Sequence, residues 1–359
     1  MPLWKSASPT SASSRACLSP WKQSPPCPMT IAYHRYELHA SAPIGARSQS
    51  AVRRGALLRI KGTAGGFGYA DLHPWAELGD LDLEAQLAAL ARGEFTDLSR
   101  ASLAFAALDG TARAEGRSLW EGVVVPPSHF LVPGGAGAAC VEAALAEGFV
   151  RFKVKIGKDL NAESRVLRDM AAVLQRAPTH DGMPPLLRLD CNEVLARADF
   201  AACLAALPFV LPLIDFVEDP FPFEAFAWTE TSRRLGVSFA ADRAVISSAG
   251  LSGPQILKPA RFGPQVPAFL SAVRDGGRRR QVVTSYLDHP LGQLGAAWVA
   301  AQLALPVPGE THGLVSHRVY APNAFSERLG WRGPHLTLPP GLGFGFDDLL
   351  TTVDWTSLC

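Results

Sequence analysis

From Ile31 onward, apolar and polar residues largely alternate over 32–40, and 55–61 opens on a short apolar run, so both segments predict strands. The spacing then changes. Apolar residues three and four apart predict helices over 84–92 and 99–115, the second presenting Leu103, Ala106, Ala107 and Ala114. Up to Gly122 this order of elements is that of a small α+β unit.

Beyond Gly122, short apolar runs alternate with Ala/Leu-rich stretches long enough to be helical. The runs at 123–125, 149–155, 186–190, 214–218, 237–241, 255–258, 281–284 and 305–307 predict eight βα units, which is the make-up of a TIM-type (β/α)8 barrel of class α/β. Gly341, Gly343 and Gly345, set among aromatic residues, mark a closing stretch expected to return to the first unit. The chain is thus expected to divide into an extension at 1–28, an α+β domain at 29–122, a barrel at 123–335 and a returning segment at 336–359. The extension is rich in Ser and Pro and holds no acidic residue, a bias that predicts disorder, and Met29 opens the globular pattern.

Composition narrows the function. With 48% hydrophobic and 19% charged residues the chain is globular, and its net charge of +1 gives no footprint for nucleic acid or a membrane surface. Cys17, Cys27, Cys140, Cys191, Cys203 and Cys359 are scattered without a C-x-x-C pair, which argues against a zinc site or a disulfide framework. The longest apolar run, 200–214, is interrupted by Pro208 and Pro212 and is too short for a bilayer. A soluble, cytoplasmic protein is expected.

The candidate chemistry lies at strand ends, where barrel enzymes build their sites. Lys153 and Lys155 share one face of their strand, and Asp190, Glu218 and Asp242 end or follow the next three. Lys258 closes the set. Three carboxylates converging on one rim repel one another unless a cation lies between them, and an all-oxygen donor set suits Mg²⁺. Taken singly, each acid equally suits a solvated rim or a helix cap. Lysines flanking a metal suit proton abstraction beside a substrate carboxylate, with Lys155 as base and its pKa lowered by Lys153 and the metal. Lys153 and Lys155 also suit a solvated edge strand.

The segments Lys-Val-Lys, Leu-Asp-Cys-Asn, Val-Glu-Asp-Pro, Ala-Asp-Arg and Leu-Lys-Pro-Ala, in that order, resemble the enolase superfamily and its muconate-lactonizing-enzyme subgroup. Gly68-Tyr69-Ala70-Asp71, His73-Pro74-Trp75, Ala107-Leu108-Asp109 and Gly341-Leu342-Gly343-Phe344 are most similar to the o-succinylbenzoate synthases of that subgroup. The resemblance implies a modified barrel under an N-terminal α+β capping domain. It implies one Mg²⁺ (Mn²⁺ as a substitute) held by Asp190, Glu218 and Asp242, with Lys155 as base and Lys258 facing it. The implied reaction is a β-elimination of water from 2-succinyl-6-hydroxy-2,4-cyclohexadiene-1-carboxylate in menaquinone biosynthesis, a carbon–oxygen lyase activity on a small-molecule carboxylate. N-succinylamino acid racemases, dipeptide epimerases and muconate cycloisomerases share the chemistry, and a non-catalytic barrel scaffold is the rival of another class. The chain departs from the pattern at Arg243, where the family often has an acid, and in a shortened fifth βα unit between Asp242 and Lys258.

Further residues carry two readings each. Arg47 and Ser48, in the loop 42–54, suit either a substrate carboxylate or a solvated surface. Arg188 either supports Asp190 from behind or packs the barrel, and Asn192 orients a ligand or turns the chain. Ser285 is expected to line the site, with Asp288 and His289 as substrate contacts or surface-loop residues. His312 and His317 read as loop or cap residues. Gly65 to Gly68 lacks the following helix that a phosphate cradle needs.

Overall fold

The computed structural model describes residues 30–41, 51–62, 66–180, 182–243, 252–261, 280–303 and 310–358. The extension 1–28, the residues Arg47 and Ser48, and the run 305–307 lie outside them. Three antiparallel strands open the chain: β1 (Ile31–His39), β2 (Val52–Lys61) and β3 (Phe67–Leu72), with the short strand Thr356–Ser357 added to the outer edge of β1. β2 is central, so Ala56, Leu57 and Leu58 are all buried and its middle reads as an apolar run. Gly55 is required there, because a Cβ would lie 2.2 Å from the Tyr36 hydroxyl that crosses it.

Helices α1 (Leu83–Ala91) and α2 (Asp97–Ala114) follow, the second opened by a capping box between Thr96 and Ser99. The face that α2 buries is only partly the expected one: Ala106 is buried and Leu103 packs against the core. Leu98, Ala101, Ser102, Ala106, Asp109 and Ala112 are buried, whereas Ala107 and Ala114 are exposed. The reason is polar: Ser102 Oγ donates to the Asp71 carbonyl at 2.6 Å, and Asp109 accepts from the Tyr69 N–H at 2.9 Å. A face built partly from hydrogen-bonded polar side chains does not register as apolar. Gly68 belongs to this contact, since a Cβ would lie 1.8 Å from the Ala106 carbonyl oxygen; its role is close packing of helix on strand.

The parallel strands β4 (Phe130–Leu131), β5 (Arg151–Lys155), β6 (Leu186–Asp190), β7 (Ile214–Glu218) and β8 (Phe239–Ala240) stand side by side in chain order. Bridges continue the ring. Ala241 pairs with Gln255 at the start of β9 (Gln255–Leu257), which lies beside β10 (Gln281–Val283); Thr284 pairs with Gly313, and His312 with Ser128 ahead of β4. Eight staves therefore close a barrel. Two differ from expectation. The first is Phe130–Leu131 rather than 123–125, where Val124 is 83% exposed and Pro126 and Pro127 supply no N–H to a ladder. The eighth is His312–Gly313, a pair with no apolar run to announce it.

Helices α3 (Ala138–Ala146), α4 (Leu160–Arg176), α5 (Arg197–Ala205) and α6 (Ala225–Leu235) cover one side of the barrel over a core that includes Phe152, Phe200, Trp228 and Phe239. Helix α7 (Pro290–Leu303) is apolar nearly all round and buried accordingly, packed against both β3 and β10. A second core joins Leu57 and Ala112 of the first unit to Leu257, Val283 and Leu294 of the barrel. The closing stretch is hydrogen-bonded to the first unit and its neighbourhood: Phe344 N–H donates to Asp109, and Trp120 Nε1 donates to the Phe344 carbonyl. Among the described residues no helix is long and apolar enough to cross a membrane, and Cys140, Cys191 and Cys203 are free thiols.

Candidate active site

Register places the chemistry. Lys155 lies opposite Asp190, Asp190 opposite Glu218 and Glu218 opposite Ala240, so parallel pairing brings these strand ends to one rim. Asp242 follows two residues beyond Ala240, and Lys258 directly follows β9. In a ring of eight staves β5 and β9 are four apart, which puts Lys155 and Lys258 on opposite walls. A cavity at this rim is lined by Lys153, Lys155, Asp190, Asp242 and Lys258, and is roofed from the cap by Trp75, Glu77 and Leu78. The roof is braced: the Arg53 guanidinium lies 3.6 Å above the Trp75 ring and donates to both Glu77 oxygens at 2.9 and 3.0 Å.

The two lysines of β5 are in different electrostatic states. Lys153 Nζ donates to both Glu218 oxygens at 2.8 and 2.7 Å and lies 3.1 Å from Asp190. Burial opposes its charge, but Asp190 and Glu218 outweigh it and hold the ammonium above its ordinary pKa. Lys155 is pushed the other way, first by burial and then by the neighbouring Lys153 and Lys258 ammoniums, against the pull of Asp190. Of the pair, only Lys155 is tuned toward the neutral amine that a general base requires.

Burial pushes the Glu218 carboxyl up against the pull of Lys153, with Asp190 and Asp242 adding repulsion. Asp190 is also buried, yet Lys153 and Lys155 bring its carboxyl below the usual range. Lys258 is ion-paired with Asp242. Among the described residues no three His, Cys, Asp or Glu side chains stand as a ready metal cage, and Lys153, Lys155, Arg243 and Lys258 line the cavity beside the carboxylates. The donor set is nonetheless that of a hard divalent cation: three carboxylates on consecutive staves whose repulsion a cation relieves.

Asn192, with φ at 50°, turns the chain and also orients a ligand candidate, its Nδ2 donating to Asp190 at 2.8 Å. Ser285 lines the cavity and is hydrogen-bonded to Ser316. Asp288 and His289 are corrected: both are buried at the junction with the cap, outside the cavity lining. His289 N–H donates to Asp71 at 3.0 Å, its ring lies 4.6 Å from those of Tyr36 and Phe325, and Asp288 stands beside Asp71 at Gly292. Arg243 lies 4.0 Å from both Glu193 and Asp219. His312 is a barrel residue whose Nδ1 accepts from Val283 N–H at 2.9 Å; His317 opens no loop but is buried against Gln293 at 2.8 Å.

Arg188 packs the barrel interior. It is fully buried, donating to Asp215 at 2.8 Å, Glu310 at 2.7 Å and the Thr311 carbonyl at 2.8 Å, with His129 Nδ1 at 3.1 Å. Arg280 bridges the same two acids, and Asp215 is held at about 2 despite its burial. Asp215, Arg280, Glu310, His129 and the Arg53–Trp75–Glu77 roof had no signal in strand-end reasoning. Asp215 and Arg280 sit at the opposite, N-terminal ends of their staves, where Asp215 is three positions before Glu218.

Residues 31–112 match the family model "O-succinylbenzoate synthase, N-terminal domain". The o-succinylbenzoate synthase of Bdellovibrio bacteriovorus is 31% identical over 342 residues, covering 91% of this chain and 98% of that one. A solved mandelate racemase/muconate lactonizing protein from Herpetosiphon aurantiacus shares the fold at a TM-score of 0.71, with 18% identity over 88% of this chain and 96% of that one. The o-succinylbenzoate synthase from Thermosynechococcus elongatus BP-1, solved with Mg in its active site, aligns at a TM-score of 0.56 with 25% identity, covering 79% of this chain and 92% of that one. Shared sequence along almost the full length of both chains, on a muconate-lactonizing fold with charged strand ends, establishes that this chain is a lyase and belongs to the o-succinylbenzoate synthase family of the enolase superfamily.

Proposed function

We propose that the chain eliminates water from 2-succinyl-6-hydroxy-2,4-cyclohexadiene-1-carboxylate to give o-succinylbenzoate, a step of menaquinone biosynthesis. The observation that carries this reading is the pairing of a depressed Lys155 with three carboxylates on consecutive staves, in a chain related along its length to a synthase of that product. Asp190, Glu218 and Asp242 would hold Mg²⁺, which when bound supplies Lewis-acid stabilisation of negative charge on substrate carboxylate oxygens. Lys155 takes the proton from the carbon bearing the carboxylate. The carbon–hydroxyl bond then breaks as the new double bond forms, and Lys155 returns its proton to the departing hydroxyl, releasing water and the aromatic ring. Lys153, held charged, fixes the carboxylates it touches, and Lys258 offers a second ammonium from the opposite wall. Trp75, braced by Arg53, excludes water from above.

The opposed placement of Lys155 and Lys258 also suits racemisation of N-succinylamino acids, in which each lysine serves one face. Mass spectrometry of the purified protein with Mg²⁺ and the cyclohexadiene substrate tests the first reading, and solvent deuterium exchange into N-succinylamino acids tests the second. Formation of o-succinylbenzoate with slow exchange is expected. Fast exchange without dehydration would overturn the proposal.

A further inference from the structure

His129 stands at the entrance to β4, where its backbone is pinned: its N–H donates to the His312 carbonyl at 2.6 Å and its own carbonyl accepts from Ser128 Oγ at 2.9 Å. Its ring is pinned as well. A guanidinium can only donate, so the 3.1 Å contact from Arg188 Nη1 makes Nδ1 the acceptor, and the proton of the uncharged ring then lies on Nε2. Arg188 has no freedom to release that contact, because Asp215, Glu310 and the Thr311 carbonyl hold its other donors at 2.7 to 2.8 Å. Burial, Arg188, Lys153 and His312 all disfavour the imidazolium, and hold its pKa well below the ordinary value.

The other side of the ring faces space. A side chain at position 313 would place its Cβ 3.0 Å from His129 Nε2, so Gly313 keeps the region before that atom open. Nε2 meets no hydrogen-bond partner among the described residues. Unlike the Nε2 atoms of His73, His312 and His317, it is not sealed in the interior. His129 and Gly313 both line the rim cavity together with Lys153, Lys155 and Ser285.

We infer that His129 is a substrate-binding residue whose Nε2–H donates an uncharged hydrogen bond to a carbonyl or carboxylate oxygen of the bound substrate, with Arg188 as the positioning residue that fixes the donor. The inference rests on the reading of the rim as the active site. A fixed N–H accepts nothing, so at this point it selects an acceptor oxygen over a hydroxyl proton, and it adds a directional contact to a site whose other attraction for the substrate is that of charge.

The test has an arm that needs no turnover. In ¹⁵N-histidine-labelled protein, the His129 ring should show a protonated Nε2 and an unprotonated Nδ1, and the Nε2–H signal should move when o-succinylbenzoate is added to saturation. A protonated Nδ1, or an Nε2–H signal unmoved by the bound product, overturns the inference. In kinetics, His129→Asn keeps an acceptor for Arg188 but lacks the distal donor, and should raise KM about three- to tenfold, the worth of one neutral hydrogen bond, with a much smaller effect on kcat. His129→Gln, which returns an N–H near the Nε2 position, should recover most of that loss. An unchanged KM in His129→Asn refutes the role of His129 while wild-type turnover leaves the proposed reaction standing. Absence of dehydration by the wild-type protein refutes both.

Discussion

Replacing Arg188 by methionine tests whether the buried ion network holds the barrel together. The side chain has no solvent exposure and ends four interactions: two carboxylates, one carbonyl and one imidazole nitrogen. Breaking a buried ion pair from one side costs about 3–5 kcal/mol, because the partner is left charged in a poor solvent. Here Arg280 still bridges Asp215 and Glu310, and Arg151 lies 3.6 Å from Asp215, so the lower half of that range applies. At an unfolding entropy of about 2.1 cal/mol/K per residue, a loss of about 3–4 kcal/mol over a chain this long lowers Tm by about 5 °C. Differential scanning calorimetry at a fixed scan rate is the assay. Arg188→Lys should fall between the two, since an ammonium restores the charge but cannot span four acceptors. A methionine variant within 1 °C or so of the wild type would refute the reasoning, and would mean that Arg280 alone satisfies the two acids.

Lys155→Ala should lower turnover by several orders of magnitude with an unchanged melting profile, because both proton transfers pass through this amine, whereas Lys153→Ala should cost less turnover but more stability, since it strips the cation from Asp190 and Glu218; the reverse ranking would show the roles exchanged. Excess chelator should abolish activity, and Glu218→Gln should abolish Mg²⁺ binding in a calorimetric titration; full turnover under either condition would remove the metal from the mechanism. Burial pushes the Asp288 carboxyl to about 7, far above its unfolded value, so the folded state retains a proton that the unfolded chain has lost. Stability should therefore fall as pH rises from about 4 towards 7, with the neighbouring Asp71, pushed up by burial and by Asp288, adding to the fall, and Asp288→Asn should reduce that slope; parallel Tm-against-pH curves for the two proteins would contradict it.

The parts of the molecule that strand periodicity encodes are legible in the sequence: β5, β6 and β7 each carry an apolar run ending on a charge, and their register alone brings Lys155, Asp190 and Glu218 together. What escaped is of two kinds. The staves Phe130–Leu131 and His312–Gly313 are only two residues long, too short for any period to show, and their place is set by ring closure rather than by local pattern. The face of α2 and the Arg188 network are polar groups satisfied over long chain separations, which composition presents as surface. Asp288 misled for a related reason: it follows a stave that does line the cavity, but Leu287, with φ at 53°, turns the chain away toward Asp71. His129 gave no signal because a lone histidine after two prolines acquires meaning only from Arg188 and Gly313, both distant along the chain.

The edge strand Thr356–Ser357 has a bearing on how the protein is made. It pairs with Ala32 and Tyr33, and His34 Nδ1 reaches the Asp354 carbonyl across 320 positions of sequence. During synthesis the first sheet is therefore short of its outer strand until the ribosome has passed residue 357, with β1 left as an open ladder beside nascent chain in the meantime. Joining the ends of so long a loop is entropically mild, since each doubling of length adds only about 0.6 kcal/mol. The penalty is one of order and time: the barrel between the two halves of that sheet must be synthesised first, so this strand can join the sheet only after every other described element has been made.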